Sequence, residues 1–229
     1  EIHKIFKCYT KIIEPVSLDE AYLDVTLSKY CGGDPTLMAS QIRSKIFNDL
    51  KITASAGVAP NKFLSKIASE WNKPNGQYCI TISMIDEFMF SLPVRKIIGV
   101  GEKTEKKLNS ISVKTCGDLQ NISLIDLKSN FGKFGSTLYN LCRGIDERDV
   151  VSDRDSKSLS VEDTYAIDLK SREKCIIELM KIFKKLQQRL DEEKYIDKKI
   201  KSCFIKVKYN DFKTSSHQTI CALPKVENY

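Results

Sequence analysis

The residues best suited to chemistry are two adjacent carboxylates in the run Ser17-Leu18-Asp19-Glu20. β-Compatible residues flank them, Val16 and Leu18 on one side and Tyr22, Leu23 and Val25 on the other. Two short strand-like runs around an acidic turn are therefore expected between Pro15 and Thr26. Paired carboxylates at a turn hold a cation or stay solvated. Hard ions such as Mg2+ take carboxylate oxygens together with substrate phosphates. Phosphoryl transfer with two metals needs such carboxylates to hold the ions against the attacking and leaving oxygens. From these four residues alone, a solvated turn remains the competing reading.

A second group runs from Gly57 to Ala68, with Gly57, Asn61, Lys62 and Lys66 as its polar and small members. Glycine after a strand and before a helix start suits a phosphate, because free amides and the helix dipole favour negative charge. Lys62 and Lys66 are four apart, so they share a helix face on which either could reach a triphosphate. Two solvated lysines are the alternative. The G-x-x-x-x-G-K-[ST] pattern is absent, which argues against a P-loop NTPase. Third, Ile97-Ile98-Gly99-Val100-Gly101-Glu102-Lys103 places G-x-G between a hydrophobic run and a Lys-rich helix. This resembles a helix-hairpin-helix, whose glycines let backbone amides approach a DNA phosphate; a plain glycine turn competes with it. Fourth, the strand-like run from Lys199 to Lys208 projects Lys206 and Lys208 from one face, fitting either a half-exposed sheet or a positive face along a groove.

These groups need elements to carry them. Before about Pro93, a helix is expected from Thr36 to Leu50, with Leu37, Ile42, Ile46 and Phe47 apolar, and a buried strand from Ile52 to Val58. Asn61 is placed to cap a helix with Phe63, Leu64, Ile67, Ala68 and Trp71 on one face. That β-α alternation predicts an α/β sandwich. Residues 94–150 read as short helices punctuated by glycine, residues 151–155 as a linker, and the rest as a third segment. In it a strand-like run from Leu159 to Leu169 precedes a long amphipathic helix from Ser171, with Ile176, Leu179, Met180, Phe183, Leu186 and Leu190 on one face. Alternating strands follow.

Bulk properties narrow the partners. The chain has 229 residues, 41% of them hydrophobic, a net charge of +7 and a pI near 8.9. Ten basic residues balance ten acidic ones over 1–93, whereas sixteen face eleven over 156–229. The basic excess thus lies where a phosphate backbone would be gripped. A bland basic surface is the alternative. No run of about 18 apolar residues supports a membrane span, and the first residues show neither a signal-peptide nor a transit pattern. Eight cysteines without C-x-x-C, beside two histidines, do not predict a zinc cluster. Most are expected as buried small hydrophobes in a reducing compartment.

In order along the chain, these pieces resemble the Y-family, translesion-type DNA polymerases. Ser17 to Asp24 is similar to that family's second catalytic motif. Gly57 to Lys66 and Asn72 to Tyr78 resemble the next palm motif, and Leu92 to Gly101 the entry to the thumb. Ser158 to Glu162 resembles the start of the little finger, and Lys-Pro-Asn-Gly-Gln-Tyr is closest to the kappa branch.

The resemblance implies an α+β multidomain fold. Residues 1–93 would be the C-terminal part of an α/β palm, 94–150 an all-helical thumb with a helix-hairpin-helix, and 156–229 an α/β little finger of sheet and packed helices. It implies a DNA-directed DNA polymerase, with primer-template DNA and dNTP as partners, a sliding clamp as candidate recruiter, no membrane, and a nuclear location. Two Mg2+ ions, or Mn2+ in their place, would be held by Asp19 and Glu20, with Glu20 alternatively helping to activate the primer 3′-hydroxyl. Lys66 would neutralise the triphosphate. Gly99, Gly101 and Lys103 would meet DNA phosphates, as would Ser158, Ser160, Lys206 and Lys208. On this resemblance the family's metal-binding aspartate and fingers are expected upstream of Glu1, and the rest of the little finger beyond Tyr229. A fragment, inactive by itself, is the expectation. A non-catalytic, sequence-independent DNA-binding module is the alternative function.

Overall fold

The computed structural model describes residues 1–153, 157–191 and 199–220. Residues 154 and 155 of the expected linker therefore lie outside the described residues. The chain divides into two compact units, residues 1–154 and 155–229.

The first unit opens with α1 (Ile2–Lys7), followed by the antiparallel pair β1 (Ile12–Pro15) and β2 (Ala21–Asp24). The register runs from Ile12 opposite Asp24 to Pro15 opposite Ala21. The first strand thus ends where the sequence suggested it begins. Pro15 has no N–H for a ladder, and beyond it the Val16 and Ser17 amides both turn onto Glu20 O, at 2.9 and 3.2 Å. Leu18 consequently stands fully exposed on the turn.

Helix α2 (Pro35–Leu50) starts where Asp34 Oδ1 accepts from the Thr36 and Leu37 amides, at 2.8 and 3.1 Å. It buries Met38, Ile42 and Ile46, the latter two against Ile5, whereas Leu37 and Phe47 face outward. β3 (Ala56–Val58) pairs in parallel with β4 (Gln77–Cys79) through α3 (Lys62–Trp71). Asn61 caps α3, its Oδ1 accepting from Leu64 N–H at 3.0 Å. Phe63, Leu64, Ile67 and Ala68 are buried as the periodicity required, but Trp71 remains partly exposed beside Tyr78 and Phe88. The strand expected from Ile52 is shorter and only half-buried. β1–β2 and β3–β4 are separate ladders among the described residues, so the expected sandwich is not joined through one sheet.

The turn joining α3 to β4, Asn72 to Gly76, contains a cis Lys73–Pro74 bond. Arg43 of α2 holds it, donating from Nε to Ala54 O at 2.9 Å and from Nη2 to Asn75 O and Oδ1 at 2.5 and 2.9 Å. The Lys-Pro-Asn-Gly motif is thus a backbone latch in this chain.

Helices α4 (Ile85–Ser91), α5 (Glu102–Asn109), α6 (Cys116–Gln120), α7 (Leu124–Phe131) and α8 (Lys133–Leu141) complete the unit. One buried cluster runs through it, from Phe63 and Leu64 through Met89, Leu92 and Leu108 to Leu138 and Cys142. The start of the expected linker is tied back to β1: Val151 N–H donates to Glu14 Oε2 at 2.9 Å, and Ile13 N–H donates to Ser152 Oγ at 3.1 Å.

In the second unit, α9 (Arg172–Leu190) is capped by Ser171, whose Oγ accepts from Lys174 N–H at 3.3 Å. β5 (Ser202–Lys208) and β6 (Thr214–Ile220) form an antiparallel hairpin. Residues 159–169 are not a strand, contrary to the alternation. They have no ladder partner among the described residues, and side-chain ties hold them instead, such as Lys185 to Asp163 and Arg189 to Ser160 O, both 2.7 Å. On α9, Ile176, Leu179, Met180 and Phe183 remain exposed. The cysteine expectation also fails in part. Of the described ones only Cys116 and Cys142 are buried, and burial pushes their thiols up to about 12 and about 11.

Candidate active site

The turn between β1 and β2 presents Asp19 and Glu20, and the middle of α3 presents Lys66 opposite them. Ser17 Oγ donates to Asp19 Oδ1 at 2.5 Å. That hydroxyl, then Asp19's own amide, and to a lesser degree the charges of Lys66 and Lys73, hold this exposed carboxyl below its ordinary value. Asp19 is therefore an ionised, accessible carboxylate at neutral pH. Lys66 Nζ forms an ion pair with Glu20 Oε1. These two residues lie 46 positions apart in sequence. Three of the residues singled out from the sequence are thus gathered in one place.

Asp19 and Glu20 fit a hard divalent ion in donor type and charge, with substrate oxygens and water to complete the shell. Among the described residues no group of three His, Cys, Asp or Glu side chains is placed to hold a metal alone. The fit is that of an open, substrate-completed site.

Two expectations for the neighbouring motif are corrected. Lys62 does not share the exposed face with Lys66. It is the first residue of α3 and turns inward, with its Nζ 2.5 Å from Glu14 Oε2 and 3.0 Å from Asp149 O. Both side chains of this pair are over nine-tenths covered, at 9% and 8% exposure. The Lys62 ammonium also lies 5.2 Å from the Tyr22 ring centroid, and burial raises the Tyr22 phenol. Lys62 therefore supports the turn from beneath rather than reaching a triphosphate. Neither Glu14 nor its pairing was anticipated. A lone glutamate following the apolar pair Ile12-Ile13 in a short strand was the available signal.

Gly57 is not a phosphate glycine either. A Cβ there would lie 2.0 Å from Ser65 O and 2.4 Å from Ser69 N, so α3 packs its backbone directly on β3. Gly57→Ala is expected to cost at least about 3 kcal/mol, since two backbones must separate. Urea unfolding followed by Trp71 fluorescence measures it, and a loss below about 1 kcal/mol would show that the contact is loose.

A second constellation was expected at the hairpin before α5. Gly99 takes φ +92°, which favours glycine, and a Cβ there would meet the Phe134 ring at 2.9 Å. Val100 and Gly101 direct their N–H groups inward, to Ile97 O at 3.0 Å and Gly99 O at 3.2 Å. The element before the hairpin is a single 3-10 turn, Val94–Lys96, rather than a full helix. Lys103 is exposed and has no ion pair among the described residues, whereas Lys106 pairs with Glu102 at 2.6 Å and Arg95 with Glu105 at 3.5 Å. In the second unit Ser158 and Ser160 are exposed. Lys206 lies 3.4 Å from Glu162, and Lys208 lies 4.7 Å from the Phe212 ring centroid.

Comparison with known proteins follows the same division. The family model described as impB/mucB/samB family matches residues 1–70. Its C-terminal domain model matches 156–226, and a model described as DNA polymerase-iota, thumb domain, matches 95–146. The chain is similar to DNA polymerase IV of Protochlamydia amoebophila (strain UWE25), 48% identical over 217 residues, covering 94% of this chain and 61% of that protein. It is 46% identical over 219 residues to DNA polymerase IV of Legionella pneumophila (strain Corby), covering 96% and 61%. The chain thus spans 61% of the length of these curated relatives. Among solved structures it resembles a Y-family DNA polymerase chimera, Dbh-Dpo4(243-245)-Dbh, with a TM-score of 0.78 and 23% identity, covering 97% of this chain and 63% of that one. An insertion ternary complex of Dbh DNA polymerase superposes with a TM-score of 0.63 at 24% identity, covering 96% and 63%. At such identities the likeness shows the fold. The relatives named are bacterial, so they do not single out the kappa branch and lend the nuclear expectation no support.

Proposed function

From a chain that belongs to the impB/mucB/samB family, the Y family of DNA polymerases, we propose a part of a template-directed DNA polymerase that acts in translesion synthesis. The observation carrying this reading is the meeting of Asp19, Glu20 and Lys66 at one turn. Residues 1–93 would serve as palm, 94–150 as thumb and 156–229 as little finger. Identities of 48% and 46% to DNA polymerase IV favour that type over kappa specifically.

Divalent ions, Mg2+ or Mn2+ in its place, would stabilise the attacking and leaving oxygens when bound. Asp19 is ionised and accessible for one of them. Glu20, released from Lys66, would be a second ligand or accept the proton of the primer 3′-hydroxyl. Lys66 would then neutralise the triphosphate. The hairpin at Gly99, Gly101 and Lys103 would meet DNA phosphates. Because the Val100 and Gly101 amides are turned inward, the open donors are those of the first turn of α5 together with Lys103. Ser158, Ser160, Lys206 and Lys208 would follow the duplex backbone. Such contacts carry no sequence information, so binding is sequence-tolerant and salt-sensitive. A sliding clamp is proposed on family grounds only, as a partner of the whole protein.

The competing reading is a non-catalytic DNA-binding module, in which the Glu20–Lys66 pair is merely structural. Steady-state primer extension by the whole protein separates the two. Lys66→Ala is expected to raise KM for dNTP about tenfold or more, the value of a lost charge-assisted contact. An unchanged KM would assign Lys66 to the fold.

A further inference from the structure

We propose that Glu70 is a positioning residue that sets how readily Glu20 is released to a divalent ion, acting through Lys66. The inference rests on the active-site reading above. Lys66 Nζ is paired with Glu20 on one side and lies 3.6 Å from Glu70 Oε1 on the other. The same Glu70 oxygen is 2.5 Å from Lys73 Nζ. Charges therefore alternate in a chain from Glu20 through Lys66 and Glu70 to Lys73. Helix geometry builds its centre, since Glu70 is four residues beyond Lys66 on α3, and the turn after the helix brings Lys73 back to Glu70.

The chain has a consequence for metal binding. A divalent cation at Asp19 and Glu20 competes with the Lys66 ammonium for the Glu20 carboxylate, and like charges repel at such distances. Lys66 must leave. Glu70 offers it an anionic seat one helical turn along, so the displaced ammonium exchanges one carboxylate for another. Without Glu70, Lys66 leans on Glu20 alone and resists the metal. Lys73 shares the Glu70 oxygen and so weakens the pull. The side chains of Glu20, Lys66, Glu70 and Lys73 are 36%, 30%, 40% and 47% exposed. At that exposure each pair is screened, and the exchange is fine-tuned rather than locked.

The test is Mn2+ binding to the whole protein without nucleotide or turnover, read by electron paramagnetic resonance of the free ion. Glu70→Gln is expected to weaken binding about two- to fivefold, the range of a partly exposed pair. Lys66→Met removes the competitor and is expected to strengthen it by a similar factor. In the Lys66→Met background, Glu70→Gln is expected to do nothing further, because its effect passes through the lysine. An unchanged affinity in Glu70→Gln overturns the proposal. So does an equal loss in both backgrounds, which would make Glu70 a direct charge effect. Asp19→Ala is expected to abolish this binding. If it leaves the titration unchanged, the active-site reading fails together with the inference; if only Glu70→Gln is silent, the inference alone fails.

Discussion

In the polymerase proposed for this chain, Asp19→Ala is expected to lower the rate of primer extension about a thousandfold or more, while duplex affinity stays the same or rises slightly. The size follows from the several kcal/mol that a bound divalent ion contributes to phosphoryl transfer, with each ~1.4 kcal/mol being tenfold in rate. Asp19 is held ionised by the Ser17 hydroxyl and its own amide, and it lies on an exposed turn. Truncating it removes the proposed metal ligand without opening a cavity, so fold and duplex binding are expected to be spared. Loss of one negative charge near a polyanion accounts for the slight rise. Extension on an undamaged template with Mg2+, beside duplex binding at two salt concentrations, reads both quantities. Extension within tenfold of the parent would remove Asp19 from the reaction and leave the DNA-binding module as the better account.

The second large effect is on stability. Lys62→Met is expected to destabilise the first unit by about 3–5 kcal/mol, because it removes the ammonium that pairs with the buried Glu14 carboxylate. Glu14 Oε2 receives both Lys62 and the Val151 amide, so the damage extends to the tie between β1 and residue 151. Pairing the change with Glu14→Leu is expected to recover most of the loss, since replacing a buried ion pair with apolar groups is often neutral. Urea unfolding followed by Trp71, the chain's only tryptophan, measures both variants. The Trp71 ring centroid lies 4.9 Å from that of Phe88, so its emission reports the core of this unit. A single-variant loss below about 1 kcal/mol would show the pair to be hydrated.

Much of this arrangement was legible in the sequence where local rules govern. Asn61 and Ser171 announced helix starts, and both cap them. The spacing of Phe63, Leu64, Ile67 and Ala68 announced the buried face of α3. Misreadings occurred where a ladder or a partner decides. Val16 and Leu18 look like strand residues, yet Pro15 ends the ladder before them. Residues 159–169 alternate like a strand, yet no second strand pairs with them among the described residues.

The sequence by itself determined the ordered motifs, the helix caps and the carboxylate pair, because each depends on residues within a turn or two of one another. Tertiary structure alone decided what the two lysines of α3 do. They are four apart and of one type, but Lys62 meets Glu14 from 48 positions away and is buried, while Lys66 meets Glu20 and remains accessible. It also turned Gly57 from a candidate phosphate contact into a packing residue. Spacing reveals which residues share a helix face. The opposing chain, brought there by burying apolar surface, settles which of them is solvated, paired or free to meet a substrate.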